Sequence, residues 1–100
     1  MTTSNSSTTP QLADPRPILD RAVATGGTVI AGVRPDQLTD PTPCSEMDVR
    51  TMLRHLVAVL DRIAALGRGD DPFAVVETDV ADDGWSDAWA AAGRRAADAW

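Results

Sequence analysis

The stretch DVRTMLRHLVAVLDRIAALG, residues 48–67, has the clearest helical pattern in the chain. Asp48 is a favourable N-cap, because its carboxylate can accept the unpaired N–H groups of a first helical turn. The apolar residues that follow recur every three to four positions and cover about half of the helix circumference. Gly67 stands where a left-handed C-terminal residue is preferred. The pattern predicts a helix from Val49 to Leu66 that packs against at least two other helices.

Apolar periodicity predicts one further helix on each side of this stretch. The first spans Pro17 to Gly32 and begins with prolines, whose missing N–H groups cost nothing in a first turn. The pair Gly26-Gly27 lies within it, and each glycine costs about 1 kcal/mol relative to alanine, so we expect close packing against a neighbour there. The third helix begins near Asp83 or Gly84 and continues to Trp100. Its stripe alternates large and small residues: Trp85, Ala88, Trp89, Ala92, Ala96, Ala99 and Trp100.

The rest of the chain separates these helices. Residues 1–13 are rich in Ser and Thr and predict a flexible tail outside the fold. Prolines between Val33 and Met47 exclude a continuous helix there, and no convincing strand occurs. We therefore expect one all-α domain over residues 14–100. Because the third apolar stripe stops at Trp100, we interpret the chain as truncated or as completed by another chain.

The composition excludes several classes of function. The 15 acidic and 9 basic residues give a net charge of −6, and no basic patch is available for nucleic acid or an anionic membrane surface. The single cysteine, Cys44, excludes an internal disulfide. The sequence has no secretory signal and no apolar run near the roughly 20 residues of a membrane span. We expect a soluble cytoplasmic protein that binds neither nucleic acid nor membranes.

Two side chains could carry chemistry. His55, the only histidine, lies on the second predicted helix at the border of its apolar face. The pattern alone favours a boundary residue with its polar edge in water over a metal ligand, and the helical neighbours supply no good zinc ligand. Cys44 is either a small apolar residue tucked into a proline-rich loop, which we favour, or a reactive thiol or additional ligand. The acidic residues 70–87 do not match a calcium-binding loop, because Ala90 occupies the glutamate position, so we expect a solvated loop.

Three motifs lie before and within the second predicted helix: DPTPC at residues 40–44, DVR at 48–50 and LRHLV at 53–57. They resemble the family of the mycothiol-dependent maleylpyruvate isomerase metal-binding domain within the DinB-like helical bundles. Similar sequences also occur at the beginning of the first helix, as DPRP at residues 14–17, and at its continuation, as AGVRPDQL at residues 31–38. Met47 departs from the pattern, because the family usually has tryptophan there. The resemblance extends over residues 14–100, and its most specific part runs from Pro41 to Val57.

The resemblance implies a DinB-like four-helix bundle, of which residues 14–100 hold the first three helices. It implies a divalent metal, zinc, held by histidines, with His55 as the first ligand and the others on a later helix. A metal-bound thiol loses its proton, so a small thiol cofactor such as mycothiol would serve thiol-dependent isomerisation or transfer. No residue is predicted to be catalytic, and we expect weak metal binding because the ligand set is incomplete. The alternative is a non-catalytic helical module that forms a homodimer through its exposed apolar stripe.

Overall fold

The protein is described here from a computed structural model that covers residues 14–44 and 46–100. The described residues form no strand, and their β-type pairing is an isolated antiparallel bridge between Pro41 and Asp48. The prediction of an all-α fold is confirmed, whereas the predicted tail over residues 1–13 lies outside the described part of the chain. The helices are α1 (Arg16–Ala31), α2 (Val49–Arg68) and α3 (Trp85–Ala99), with single 3₁₀ turns at Pro35–Gln37 and Pro72–Ala74.

The third helix occupies the middle of the fold. α3 packs against both α1 and α2, whereas the backbones of α1 and α2 hardly approach each other. Ala92 and Ala96 of α3 are fully buried, and their small side chains allow the neighbouring helices to come close. The arrangement is compatible with a helical bundle whose core lies on both sides of α3. Its buried cluster consists of Ile30, Leu38, Leu53, Leu60, Trp85, Trp89 and Ala92.

The predicted close packing at Gly26-Gly27 is confirmed, and the neighbour is Trp89 of α3. The Trp89 ring is buried, and its indole Nε1–H donates a hydrogen bond of 2.8 Å to the carbonyl of Val23. A Cβ atom at Gly26 would lie 2.5 Å from the ring carbon Cζ2. The absence of a side chain at Gly26 therefore lets the indole lie directly on α1.

The predicted start of α2 is confirmed and its predicted end is wrong. A carboxylate oxygen of Asp48 accepts a 2.8 Å hydrogen bond from the backbone N–H of Thr51, and this bond holds the pKa of Asp48 below its ordinary value. The helix continues past Gly67 to Arg68. It ends at Gly69, whose φ of 80° is the left-handed conformation that glycine adopts most easily.

Gly67 lies inside α2, at the point where the end of α3 approaches this helix. A Cβ atom at this position would lie 2.8 Å from the carbonyl oxygen of Ala99 and 2.7 Å from the indole Nε1 of Trp100. The indole N–H donates a 2.8 Å hydrogen bond to the carbonyl of Ile63 on the same helix. The glycine therefore allows the end of α3 to lie against α2, which the periodicity of α2 alone could not indicate.

Some apolar side chains that the periodicity assigned to the buried face remain in contact with solvent. The apolar periodicity of α1 includes Val29 and that of α2 includes Leu66, but Val29 is 66% exposed and Leu66 is 56% exposed, so their assignment to a buried face is wrong. Trp100 is 50% exposed, whereas Trp85 and Trp89 are buried as expected. None of the described helices combines the length and the apolar character needed to cross a membrane.

Candidate functional site

The segment with the most specific family resemblance folds against the start of α2. Leu38, which precedes this segment in the sequence, is 1% exposed and belongs to the hydrophobic core. Its carbonyl accepts a 2.9 Å hydrogen bond from the backbone N–H of Arg50. Within the loop, the Thr42 hydroxyl donates a 2.8 Å hydrogen bond to the carbonyl of Met47. These bonds fix the proline-rich loop to the first turn of the helix that carries His55.

Cys44 lies on the surface of this loop as a free thiol. Its backbone N–H donates a 3.2 Å hydrogen bond to the Thr42 hydroxyl oxygen. The favoured prediction of a tucked apolar residue is therefore wrong, because loop polar contacts hold the backbone while the side chain faces solvent. Its role as a reactive thiol or additional ligand remains a prediction.

His55 lies at the edge of the buried surface of α2, as the periodicity predicts. Its side chain is 37% exposed, and that of its partner Glu77 is 34% exposed. The ring Nδ1 atom lies 3.2 Å from the Glu77 carboxylate oxygen Oε2. The imidazole is therefore held by protein on one edge and remains accessible to solvent.

The connection from α2 to α3 supplies this partner and lies along α2. We call residues 77–82 the acidic strap. Asp79 lies 3.3 Å from the guanidinium of Arg54, and Asp82 lies 2.6 Å from that of Arg50. The hydrogen bond from Arg50 holds the pKa of Asp82 below its ordinary value. The strap therefore follows α2 in the antiparallel direction.

Sequence reasoning identified these acids only as part of a solvated loop. Their carboxylates are indeed largely solvated, with Asp79 at 76% and Asp82 at 56% exposure. Their pairing with α2 was missed, because the register of a loop on a helix depends on contacts distant in sequence. Arg50 and Arg54, one turn apart on the same face of α2, are the signal that could have suggested an acidic partner segment.

The donors near His55 fit one ligand of a divalent metal and do not complete a site. Among residues 14–44 and 46–100, no three His, Cys, Asp or Glu side chains are grouped so that they could hold a metal ion. A neutral imidazole is a good zinc ligand, but stable zinc sites have three or four protein ligands. Nδ1 of His55 pairs with the Glu77 carboxylate, so Nε2 is the ring nitrogen that remains for a metal.

Comparison with known proteins does not extend this description. The chain matches no known protein family, no curated protein and no solved structure. The motifs and the geometry around His55 are therefore the features of this chain that point to a function.

Proposed function

We propose that this chain is part of a DinB-like four-helix bundle that binds a divalent metal, similar to the mycothiol-dependent maleylpyruvate isomerases, and that His55 supplies one ligand. The observation that supports this function is the pairing of His55 Nδ1 with the Glu77 carboxylate at 3.2 Å. Metal-binding histidines commonly donate the N–H of one ring nitrogen to a carboxylate while the other nitrogen binds the metal. His55 has this arrangement on a helix, which gives the ring a fixed position.

The proposed role of this chain is binding and orientation. His55 offers a neutral nitrogen, and Glu77 fixes the direction of the ring. The remaining ligands would come from another polypeptide segment. When bound, zinc would supply deprotonation of a small thiol such as mycothiol. We assign no catalytic residue in residues 14–100.

We expect this chain to bind zinc weakly and only through His55. One imidazole provides too few bonds, so the dissociation constant should be about 1 mM or weaker, equivalent to about 4 kcal/mol. Complete structural zinc sites reach roughly 10–16 kcal/mol. Isothermal titration calorimetry should detect a weak component that disappears in His55→Ala.

The control is Cys44→Ser, which removes the exposed thiol of the single cysteine and should leave the weak component unchanged. Equal zinc uptake by the original chain and by His55→Ala would contradict the ligand role of His55. Tight one-to-one binding would contradict the conclusion that the ligand set is incomplete.

A second candidate function is self-association of a non-catalytic helical module. The observation that favours it is an apolar patch where the start of α1, the end of α2 and Trp100 meet. Trp100 is 50% exposed, and Leu66, one turn from Ile63 along α2, is 56% exposed. Exposed apolar surface of this kind is typical of interaction sites. The patch surrounds a hollow of about 240 Å³ lined by Pro15, Arg16, Leu19, Ile63 and Trp100.

If this patch joins two copies, sedimentation velocity should show a dimer whose fraction rises with protein concentration. Trp100→Lys should shift the protein towards monomer, because Trp100 lines the hollow and a charge there would have to be buried at the interface. The matched control is Val76→Lys, since Val76 is 71% exposed on the loop after α2 and outside the patch. A monomer at every concentration would contradict this candidate.

A further inference from the structure

We infer that Glu77 is a positioning residue that holds His55 in the Nδ1–H tautomer and thereby makes Nε2 the ring atom available to a ligand. This inference rests on the proposed function, because the choice of ring nitrogen matters only if His55 binds a metal. The tautomer itself is a property of this chain and can be measured without any metal.

The assignment follows from the donors and acceptors of the pair. An ionised carboxylate only accepts hydrogen bonds, so Nδ1 must be the donor across the 3.2 Å between it and Glu77 Oε2. A neutral imidazole carries one proton on its two nitrogens. When Nδ1 holds that proton, the lone pair that can bind a metal is on Nε2.

Glu77 is itself held in place by the acidic strap. Two positions further along the strap, Asp79 pairs at 3.3 Å with Arg54, the residue next to His55. The following residue, Val80, packs against the hydrophobic core. These contacts hold the strap against α2 next to His55, so the carboxylate of Glu77 stays beside the ring.

The charges around the pair direct Glu77 towards His55. Arg54, the adjacent cation on α2, is engaged by Asp79, and Arg50 is engaged by Asp82 at 2.6 Å. The carboxylate of Glu77 therefore pairs with the imidazole and not with either of these two arginines. Since both side chains are about one third exposed, water competes for the hydrogen bond and the tautomer preference should be strong without being complete.

The test uses the nitrogen NMR signals of the imidazole, which are unambiguous because His55 is the only histidine. At a pH where the ring is neutral, the Nδ1–H tautomer should exceed the Nε2–H tautomer by about tenfold in the original chain, as a charge-assisted hydrogen bond implies. Glu77→Leu should abolish this excess. Glu77→Gln should restore part of it, because the amide oxygen can still accept from Nδ1–H.

The matched control is Glu46→Leu, the same change at the only other glutamate, which should leave the tautomer ratio as it is. Circular dichroism should show equal helix content in all variants, so that a tautomer change cannot be attributed to unfolding. An Nε2–H tautomer that dominates in the original chain would overturn the inference, and so would an unchanged ratio in Glu77→Leu.

The same spectra separate this inference from the proposed function. If the tautomer ratio behaves as expected and zinc well above its expected dissociation constant of about 1 mM leaves Nε2 unaffected, the inference stands and the metal-binding function fails. If zinc shifts Nε2 while Glu77→Leu leaves the ratio unchanged, the function stands and the role of Glu77 is overturned.

Discussion

Trp89→Ala should lower the free energy of unfolding by about 3–5 kcal/mol, the usual loss for removal of a buried tryptophan. The ring is 8% exposed and fills the space where α3 crosses α1. The substitution would leave a cavity at this crossing. It would also leave the carbonyl of Val23 without the 2.8 Å hydrogen bond from the indole. Urea denaturation followed by circular dichroism measures the change.

The matched control is Trp100→Ala, which removes the same side chain from a position that is 50% exposed. Its expected loss is smaller, about 2 kcal/mol, because only about half of the side chain is buried, and that area disappears together with one hydrogen bond to Ile63. Trp89→Phe should give an intermediate loss, since it keeps an aromatic ring and removes the hydrogen bond. Equal losses for the two alanine variants would contradict the central position of Trp89.

Gly26→Ala and Gly27→Ala should change stability in opposite directions although the positions are adjacent. A Cβ atom at Gly26 would lie 2.5 Å from the buried ring of Trp89, and such overpacking costs about 1–3 kcal/mol. A Cβ atom at Gly27 would lie 3.5 Å from the same ring, an ordinary contact distance. There the gain in helix propensity should dominate and raise stability by about 0.5–1 kcal/mol.

Thermal and urea denaturation of the two variants provide the measurement, and each variant is the control for the other. Both substitutions add one methyl group to the same helix, so a difference in sign isolates the contact with Trp89. An increase in stability for Gly26→Ala would show that the ring does not lie on α1 at this point.

Local patterns in the sequence predicted the helices and much of the core. The N-cap at Asp48 and the mid-helix glycines of α1 depend on neighbours within a few residues or on one helix face. The end of α2 could not be predicted in this way. Gly67 precedes Gly69, and only the packing of Ala99 and Trp100 against α2 shows which glycine ends the helix and which allows close approach.

The candidate site could likewise be predicted only in part from the sequence. The border position of His55 follows from the period of one helix, and the structure confirms it. Its partner Glu77 lies 22 positions away, in a loop whose register is set by ion pairs with Arg54 and Arg50. Such pairing is a tertiary property, and a loop without periodicity gives no sign of it.

The central position of α3 implies an order in which the fold can assemble. α2 and α3 are neighbours in sequence as well as in space, so their pairing closes only the short connection that contains the strap. α1 has no such local partner, and its indole contact joins positions that are 66 residues apart. The entropy lost when α1 is ordered must therefore be overcome by its one interface with α3. α1 should therefore dock last during folding and be the first helix to detach when the protein unfolds.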